Sequence, residues 1–252
     1  MKVVLICPAD RPAVECLAEN FPLALTPLLG RSLLEYWIEA LAPRGVTEVV
    51  VLASDRPHQI RVALGDGARW GIQLKVIPQS RELTAAEARQ LYRNDGDSSW
   101  LEGEDVILLD RLPGPAQPPL FESYAAWFSA LVAFAPHAVT PGRIGVREVQ
   151  PGIWVGLHSH LAPGVRLQAP CWIGEHVIIG EHTTIGPGAI IEDHVVIERG
   201  ATVRTSRVGP DTFVGRNICV HHSIAQGGPL INWQNNSCLQ VPDDFLLGSL
   251  AD

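Results

Sequence analysis

From Val155 onward an aliphatic residue returns at every sixth position: Val155, Leu161, Leu167, Ile173, Ile179, Ile185, Ile191, Ile197 and Val203. One five-residue step then leads to Val208, Val214 and Val220. The next position is small or acidic at Gly156, Ala162, Gly174, Gly180, Gly186, Glu192, Glu198, Gly209 and Gly215. Four residues after the aliphatic comes a small or β-branched residue in most units, as at Val177, Thr183, Ala189, Val195 and Ala201. A sheet with one solvated face alternates with period two, so it does not account for a period of six. A six-residue period predicts one short strand and one turn per unit, with three units closing a triangular coil of about 18 residues. Such coils stack at the ordinary strand spacing of about 4.8 Å. The aliphatics point into the narrow interior, and the glycines are expected at the corners, where positive φ is often required. Twelve units give about four coils, over Val155 to Ala225. The tail from Leu230 to Leu250 leaves the repeat. Trp233, Phe245, Leu246 and Leu247 there suggest a segment that caps the last coil or packs on a neighbour, since a solenoid end exposes unpaired strand groups.

The first 150 residues follow a different rhythm. Val3 to Cys7 is a short, wholly apolar run of the kind found in a central parallel strand. Ser32 to Leu41 carries apolar residues at helical spacing behind a serine N-cap, and Gly45 closes that helix. Glu48–Ala53, Gln73–Ile77 and Asp105–Leu109 read as further strands, with helices over Gln59–Leu64, Thr84–Tyr92 and Ser123–Phe134. Strands alternating with helices at this spacing predict a parallel α/β sheet. The expected organisation is an α/β domain over 1–150 and a parallel β-helix with its capping tail over 151–252.

Both halves resemble known families. The repeat is similar to the hexapeptide-repeat superfamily, and the resemblance implies a left-handed parallel β-helix against the usual right-handed crossover rule. The stretch from Phe21 to Gln79 resembles the N-terminal, Rossmann-like domain of sugar-1-phosphate nucleotidyltransferases, the NDP-sugar pyrophosphorylases and mannose-1-phosphate guanylyltransferase-like proteins. The residues that carry it are Pro22, Pro27, Gly30, Leu33-Leu34-Glu35-Tyr36, Gly45-Val46-Thr47-Glu48-Val49, and Gly65-Asp66-Gly67 before Trp70-Gly71. Some members of that family also carry a C-terminal hexapeptide β-helix.

The resemblance also shows what this chain lacks. The family's first strand leads into a loop of the form GGxGTRL, whose glycines bring backbone amides to the nucleotide phosphates. Here the loop is Pro8-Ala9-Asp10-Arg11-Pro12-Ala13-Val14-Glu15, without a glycine. Two prolines remove donors, and Asp10 and Glu15 repel phosphate. The family's lysine falls at Leu23, and its metal-binding aspartate falls near Leu112, two residues after Asp110. The sugar-binding half that normally follows is reduced to the 38 residues from Pro113 to Gln150, with prolines at 113, 115, 118, 119, 136 and 141.

The residues left to carry chemistry are few. Gln79 matches a position that often contacts the base in the family, and Thr84-Ala85 match part of the next loop; packing alone would also explain them. Arg11 is either a relic of the loop arginine or a solvated surface residue. Asp110 stands two residues early for a metal ligand, on a strand whose period of two allows it the same face. Seven histidines lie in the repeat half: His158, His160, His176, His182, His194, His221 and His222. His176, His182 and His194 share the third position after the aliphatic and read as solvent-facing turn residues. His221 and His222, near the end of the repeat, are candidates for a general base at an inter-subunit site of the acyltransferase type.

Composition narrows the classes further. Charged residues make up 18% and hydrophobic ones 46%, which excludes a disordered chain. A formal net charge of −8 without any Lys/Arg run leaves no footprint for nucleic acid or an anionic membrane. The N-terminal apolar run is too short for a signal peptide, and no stretch approaches the roughly 20 apolar residues of a membrane helix. Five scattered cysteines fit reduced thiols in a cytoplasmic protein. The sequence therefore reads as a degenerate nucleotidyltransferase-like protein with a structural, regulatory or ligand-binding role in sugar-nucleotide or polysaccharide synthesis. A nucleotide or nucleotide-sugar is its expected ligand, and a homodimer or homotrimer its expected assembly. The two enzymatic alternatives are altered nucleotidyl transfer through Asp110 and Gln79, which would bring Mg²⁺, and acyl transfer through His221 or His222.

Overall fold

The computed structural model describes all residues except 93–99, 102, 104, 115–116, 140–144 and 252. Pro115 and Pro141 of the proline-rich stretch lie outside the described residues. The chain divides into two compact units, one comprising Met1–Thr26 and Arg31–Glu122, the other Pro27–Gly30 and Ser123–Asp252. The division falls at Glu122/Ser123 because the helix that follows packs on the repeat.

The first unit is built on four parallel strands, β1 (Lys2–Ile6), β2 (Glu48–Ala53), β3 (Gln73–Pro78) and β4 (Val106–Leu108), in the order β3-β2-β1-β4. Val3, Val4 and Leu5 are wholly buried, as a central strand covered on both faces must be. Helix α1 (Leu33–Leu41) starts with a capping box. The Ser32 hydroxyl accepts from the Glu35 amide while the Glu35 carboxylate accepts from the Ser32 amide. It ends through a short 3-10 turn at Gly45, whose φ of +78° needs glycine. Helix α2 (Pro57–Leu64) begins two residues before the predicted Gln59, with Pro57 in the first turn, where its missing N–H costs nothing. Helix α3 (Ala85–Tyr92) follows β3. Because the strand succession reverses beside β1, the crevice outside the carboxyl ends of β1 and its neighbours is where such a sheet takes a ligand.

The second unit is a hexapeptide-repeat β-helix with three parallel faces. One face stacks Ile153–Gly156, Cys171–Ile173, Ala189–Ile191, Ser206–Val208 and Ser223–Ala225. The second stacks His160–Leu161, Ile178–Ile179, Val196–Ile197 and Thr212–Val214, and the third Arg166–Leu167, Thr184–Ile185, Thr202–Arg204 and Cys219–His221. Ile173, Ile179, Ile185, Ile191 and Ile197 are all buried in one core cluster, which is the inward placement the period predicted. The corners depart from expectation. The left-handed backbone lies mostly three residues after the aliphatic, at His158, Gly164, His176, His182, Gly188, His194, Gly200, Asp211 and Asn217, while Gly186 alone of the glycines directly after an aliphatic has the expected positive φ. The glycines directly after the aliphatic serve another purpose at Gly174 and Gly180. A Cβ on Gly174 would lie 2.8 Å from the Glu192 backbone, and one on Gly180 2.5 Å from the Arg199 amide. They are small because the next coil passes over them.

Helix α4 (Tyr124–Phe134), N-capped by the Ser123 hydroxyl on the Ala126 amide, belongs to this unit. The residues of the first face that point away from the prism interior, Trp154, Trp172, Ile190, Arg207 and Ile224, are nonetheless buried. A narrow crevice lined by Val132 and Ala135 on one side and by Trp154, Trp172 and Ile190 on the other shows where the segment around α4 meets that face. The tail covers the exposed strand edges. Pro229–Asn232 pairs antiparallel with Ser223–Ala225, Ser237–Gln240 adds to it, and Leu247–Ser249 pairs with Thr212–Val214. Leu247 is buried, whereas Phe245 stays 85% exposed and covers the last coil only with its backbone, which passes over Gly215. Among the described residues no helix is long and apolar enough to cross a membrane.

Candidate functional site

At the carboxyl ends of the first unit's strands lies an open cleft of about 570 Å³. The Cys7 amide extends the β1–β2 ladder by donating to the Leu52 carbonyl at 2.9 Å, and buried Pro8 then turns the chain into the loop. Arg11 is extended, and Pro12 opens a 3-10 segment to Ala18. Ala9 keeps an amide, which donates to Glu82 Oε2 at 2.7 Å. Arg11 binds the same carboxylate through both ends of its fork, Nη1 to Oε2 at 2.8 Å and Nη2 to Oε1 at 2.7 Å. Such bidentate, charge-assisted contacts are the strong class of hydrogen bond. Arg11 is therefore paired and only partly exposed.

The cleft is acidic. Asp10, Glu15, Glu19, Asp55 and Glu82 line it against Arg56 and Arg81. Arg56 is held by Asp55 at 2.9 and 3.0 Å and by the carbonyls of Ala18 and Glu19. Arg81 is held by Glu87 at 2.5 Å. Burial raises the Glu82 carboxyl, but the Arg11 fork and the Ala9 amide outweigh it, and the group titrates below the ordinary carboxylate range. The Glu82 hydrogen bond in turn raises the Arg11 guanidinium above its usual value, with Asp110 and Asp10 adding to the effect. Burial, with Glu82 and Asp55, pushes the Cys7 thiol far above its usual range, so it does not offer a thiolate.

The other predicted residues have settled elsewhere. Gln79 Nε2 donates to the Tyr92 hydroxyl at 2.7 Å, joining the end of β3 to α3. Asp110 accepts from its neighbour Arg111 at 3.1 Å, and its carbonyl accepts from the Leu120 amide. Leu23 and Leu112, at the positions of the family's lysine and aspartate, are each 1% exposed and belong to the core. The Arg111 carbonyl takes the Trp37 indole N–H at 2.8 Å, which fixes the backbone beside Leu112 against α1. These residues do not fit a magnesium ion: the key position is apolar and the nearest carboxylate is paired with an arginine. Among the described residues no group of three or more His, Cys, Asp or Glu is arranged to hold a metal.

In the second unit His158, His176 and His194 form a stack with ring centroids 4.8 and 5.2 Å apart, all exposed and all in left-handed turns. His, Asn and Asp are the non-glycine residues that tolerate this conformation best, so the backbone explains them. His221 and His222 stack on each other at 3.8 Å, and His222 meets Trp233 edge-on at 5.1 Å, with Trp233 stacked on Phe128. Burial and His221 lower the His222 imidazole below its usual value.

Sequence reasoning missed a second carboxylate with amide partners. Glu192 Oε1 and Oε2 accept from the successive amides of Leu29 and Gly30 at 3.0 and 2.7 Å, where both residues have positive φ. Arg207 Nε donates to Glu192 Oε1 at 3.0 Å, its Nη2 donates to the Pro27 carbonyl at 2.8 Å, and its guanidinium lies 5.1 Å from the Trp127 ring. Both charged side chains are essentially inaccessible. The signal was present: Arg207 occupies the strand position where other coils carry Trp154, Trp172 and Ile190, so an arginine there is buried.

Comparison with known proteins agrees with both halves. The family model Bacterial transferase hexapeptide (six repeats) matches residues 170–205. The chain is 27% identical over 111 residues to a glucose-1-phosphate thymidylyltransferase of Streptomyces antibioticus, a match that covers 43% of this chain and 31% of that protein. A second glucose-1-phosphate thymidylyltransferase, from Streptomyces griseus, is 31% identical over 84 residues, covering 33% and 22%. The low-salt glycan biosynthesis nucleotidyltransferase of Haloferax volcanii is 32% identical over 111 residues, covering 42% and 31%. The match spans less than a third of the length of each of these relatives. The chain is thus sugar-1-phosphate nucleotidyltransferase-like, with a hexapeptide region behind its α/β sheet.

Proposed function

We propose that this protein does not transfer nucleotides and serves a structural, regulatory or ligand-binding role in sugar-nucleotide or polysaccharide synthesis in the cytoplasm. The observation that carries the reading is the state of the first loop: its Ala9 amide and its arginine are both engaged by Glu82. A nucleotidyl transfer site holds a triphosphate with backbone amides, at least one cation and normally a divalent metal. Leu23 and Leu112 offer none of these, and the cleft at the strand ends is lined by five carboxylates. Losing one such contact costs about 3 kcal/mol of transition-state stabilisation, so several losses together remove turnover. The β-helix is the natural oligomerisation element, through flat faces that pack on copies of themselves.

The test is pyrophosphate release from each common nucleoside triphosphate with a sugar 1-phosphate and Mg²⁺, alongside thermal melts with nucleotides and nucleotide-sugars. The expected result is no turnover, with a raised melting temperature for whichever ligand is bound. Metal-dependent turnover abolished by Asp110→Ala would overturn the reading in favour of a rearranged active site.

A further inference from the structure

We infer that Glu82 is a tethered competitor for phosphate: Ala9 and Arg11 form an anion site that this carboxylate fills from within. The inference rests on the non-catalytic reading above and names the residue that keeps a phosphate group off these loop donors. Three donors converge on the two oxygens of Glu82, one backbone N–H and the two ends of a guanidinium, at 2.7 to 2.8 Å. A phosphate or pyrophosphate group presents the same two-oxygen edge and would use the same donors. The site is thus an anion site by construction, although the surrounding cleft is acidic. The side chains of Arg11 and Glu82 are only 27% and 21% exposed, so bulk water screens the pair less than an ordinary surface pair.

Glu82 reaches the loop from the segment between β3 and α3, and Leu83 beside it is buried at 8% exposure. The anchor holds the carboxylate at the loop as an intramolecular ligand, with an effective concentration of about millimolar or more. A free phosphate must displace it, and Asp10 and Asp55 remain nearby to repel the newcomer. Removing the Glu82 charge deletes the competitor and leaves both donors in place, whereas the cleft's other carboxylates are unchanged. The gain in anion affinity is therefore attributable to the loop donors and disappears with Arg11.

The experiment uses the full chain at low ionic strength, with inorganic pyrophosphate as the probe and isothermal titration calorimetry as the readout. The unmodified protein is expected to give no saturable binding up to about 10 mM, while Glu82→Ala and Glu82→Gln bind at least about tenfold more tightly. Glu82→Ala with Arg11→Ala loses that gain. If Glu82→Ala fails to fold, Glu82→Gln carries the test, because it keeps the size of the side chain while removing the charge that pairs with Arg11. Folded Glu82 variants without a gain, or a gain that survives removal of Arg11, overturn the inference. Nucleotide turnover by the unmodified protein refutes the preceding proposal, and pyrophosphate titration of the variants still judges this one separately.

Discussion

Replacing Arg207 with methionine tests what holds the Pro27–Gly30 segment onto the β-helix. Methionine keeps much of the apolar stem against Trp127 but removes the charge from a site that is 0% exposed. Glu192 then remains buried with only the Leu29 and Gly30 amides as partners, and the Pro27 carbonyl loses its donor. Breaking a buried pair from one side costs about 3–5 kcal/mol, because the remaining charge is uncompensated. The second half of the test is the doubly apolar variant Glu192→Leu/Arg207→Leu. In many proteins such a swap is neutral or stabilising. Here it strands two backbone N–H groups at about 1–3 kcal/mol each, so the double variant should also be destabilised. Urea unfolding followed by tryptophan fluorescence includes this unit, since Trp127, Trp154 and Trp172 are buried in it, with Trp37 reporting on the first unit. A loss below about 1 kcal/mol for Arg207→Met, or a double variant as stable as the unmodified protein, would refute the argument that the pair serves to satisfy the segment's backbone.

Ile185→Ala, at 0% exposure in the prism, should cost about 2–5 kcal/mol in the same unfolding assay through lost burial and a cavity. At His176, where φ is +55°, His176→Val should destabilise by about 1–2 kcal/mol while His176→Asn stays near neutral; equal effects would show that the imidazole itself matters. The Glu82 carboxyl titrates lower in the folded protein than in the unfolded chain, so its stabilisation is present above the ordinary value of 4.5 and is lost as pH falls through the lower folded value. Glu82→Gln should therefore flatten the acid limb of stability against pH and leave the slope above neutrality unchanged. Light scattering at micromolar concentration should return a multiple of 27.3 kDa, and the monomer mass would count against association through the β-helix.

The β-helix was legible because its information is periodic. Each aliphatic is specified by its own neighbours six residues away, and one face of the prism repeats the next. The α1 cap at Ser32 was legible for a similar local reason, a hydroxyl three residues ahead of its amide partner, and the Ser123 cap of α4 follows the same rule. The corner geometry was legible only in part: Gly186 has the expected positive φ, whereas Gly174 and Gly180 serve a close backbone approach, and sequence does not say which use a glycine has. Glu82 escaped notice because its meaning depends on Ala9 and Arg11, more than 70 residues earlier in the chain. Gln79 and Asp110 were picked by position in a resemblance, and position does not reveal that Tyr92 and Arg111 hold them.

Glu192 and its amide partners have a bearing on where the polypeptide can be cut. The bonds from Leu29 and Gly30 span 163 and 162 residues of sequence, so the repeat unit is not a contiguous stretch of chain. During synthesis those two amides emerge long before the coil that receives them, and the loop they close is among the costliest in entropy. A gene divided at Glu122/Ser123 would yield a C-terminal fragment in which Glu192 and Arg207 face the gap left by four missing residues. Supplying a synthetic peptide that spans Pro22 to Ser32 would return the missing N–H donors in trans. The two units are thus separable by contact but not by scissors.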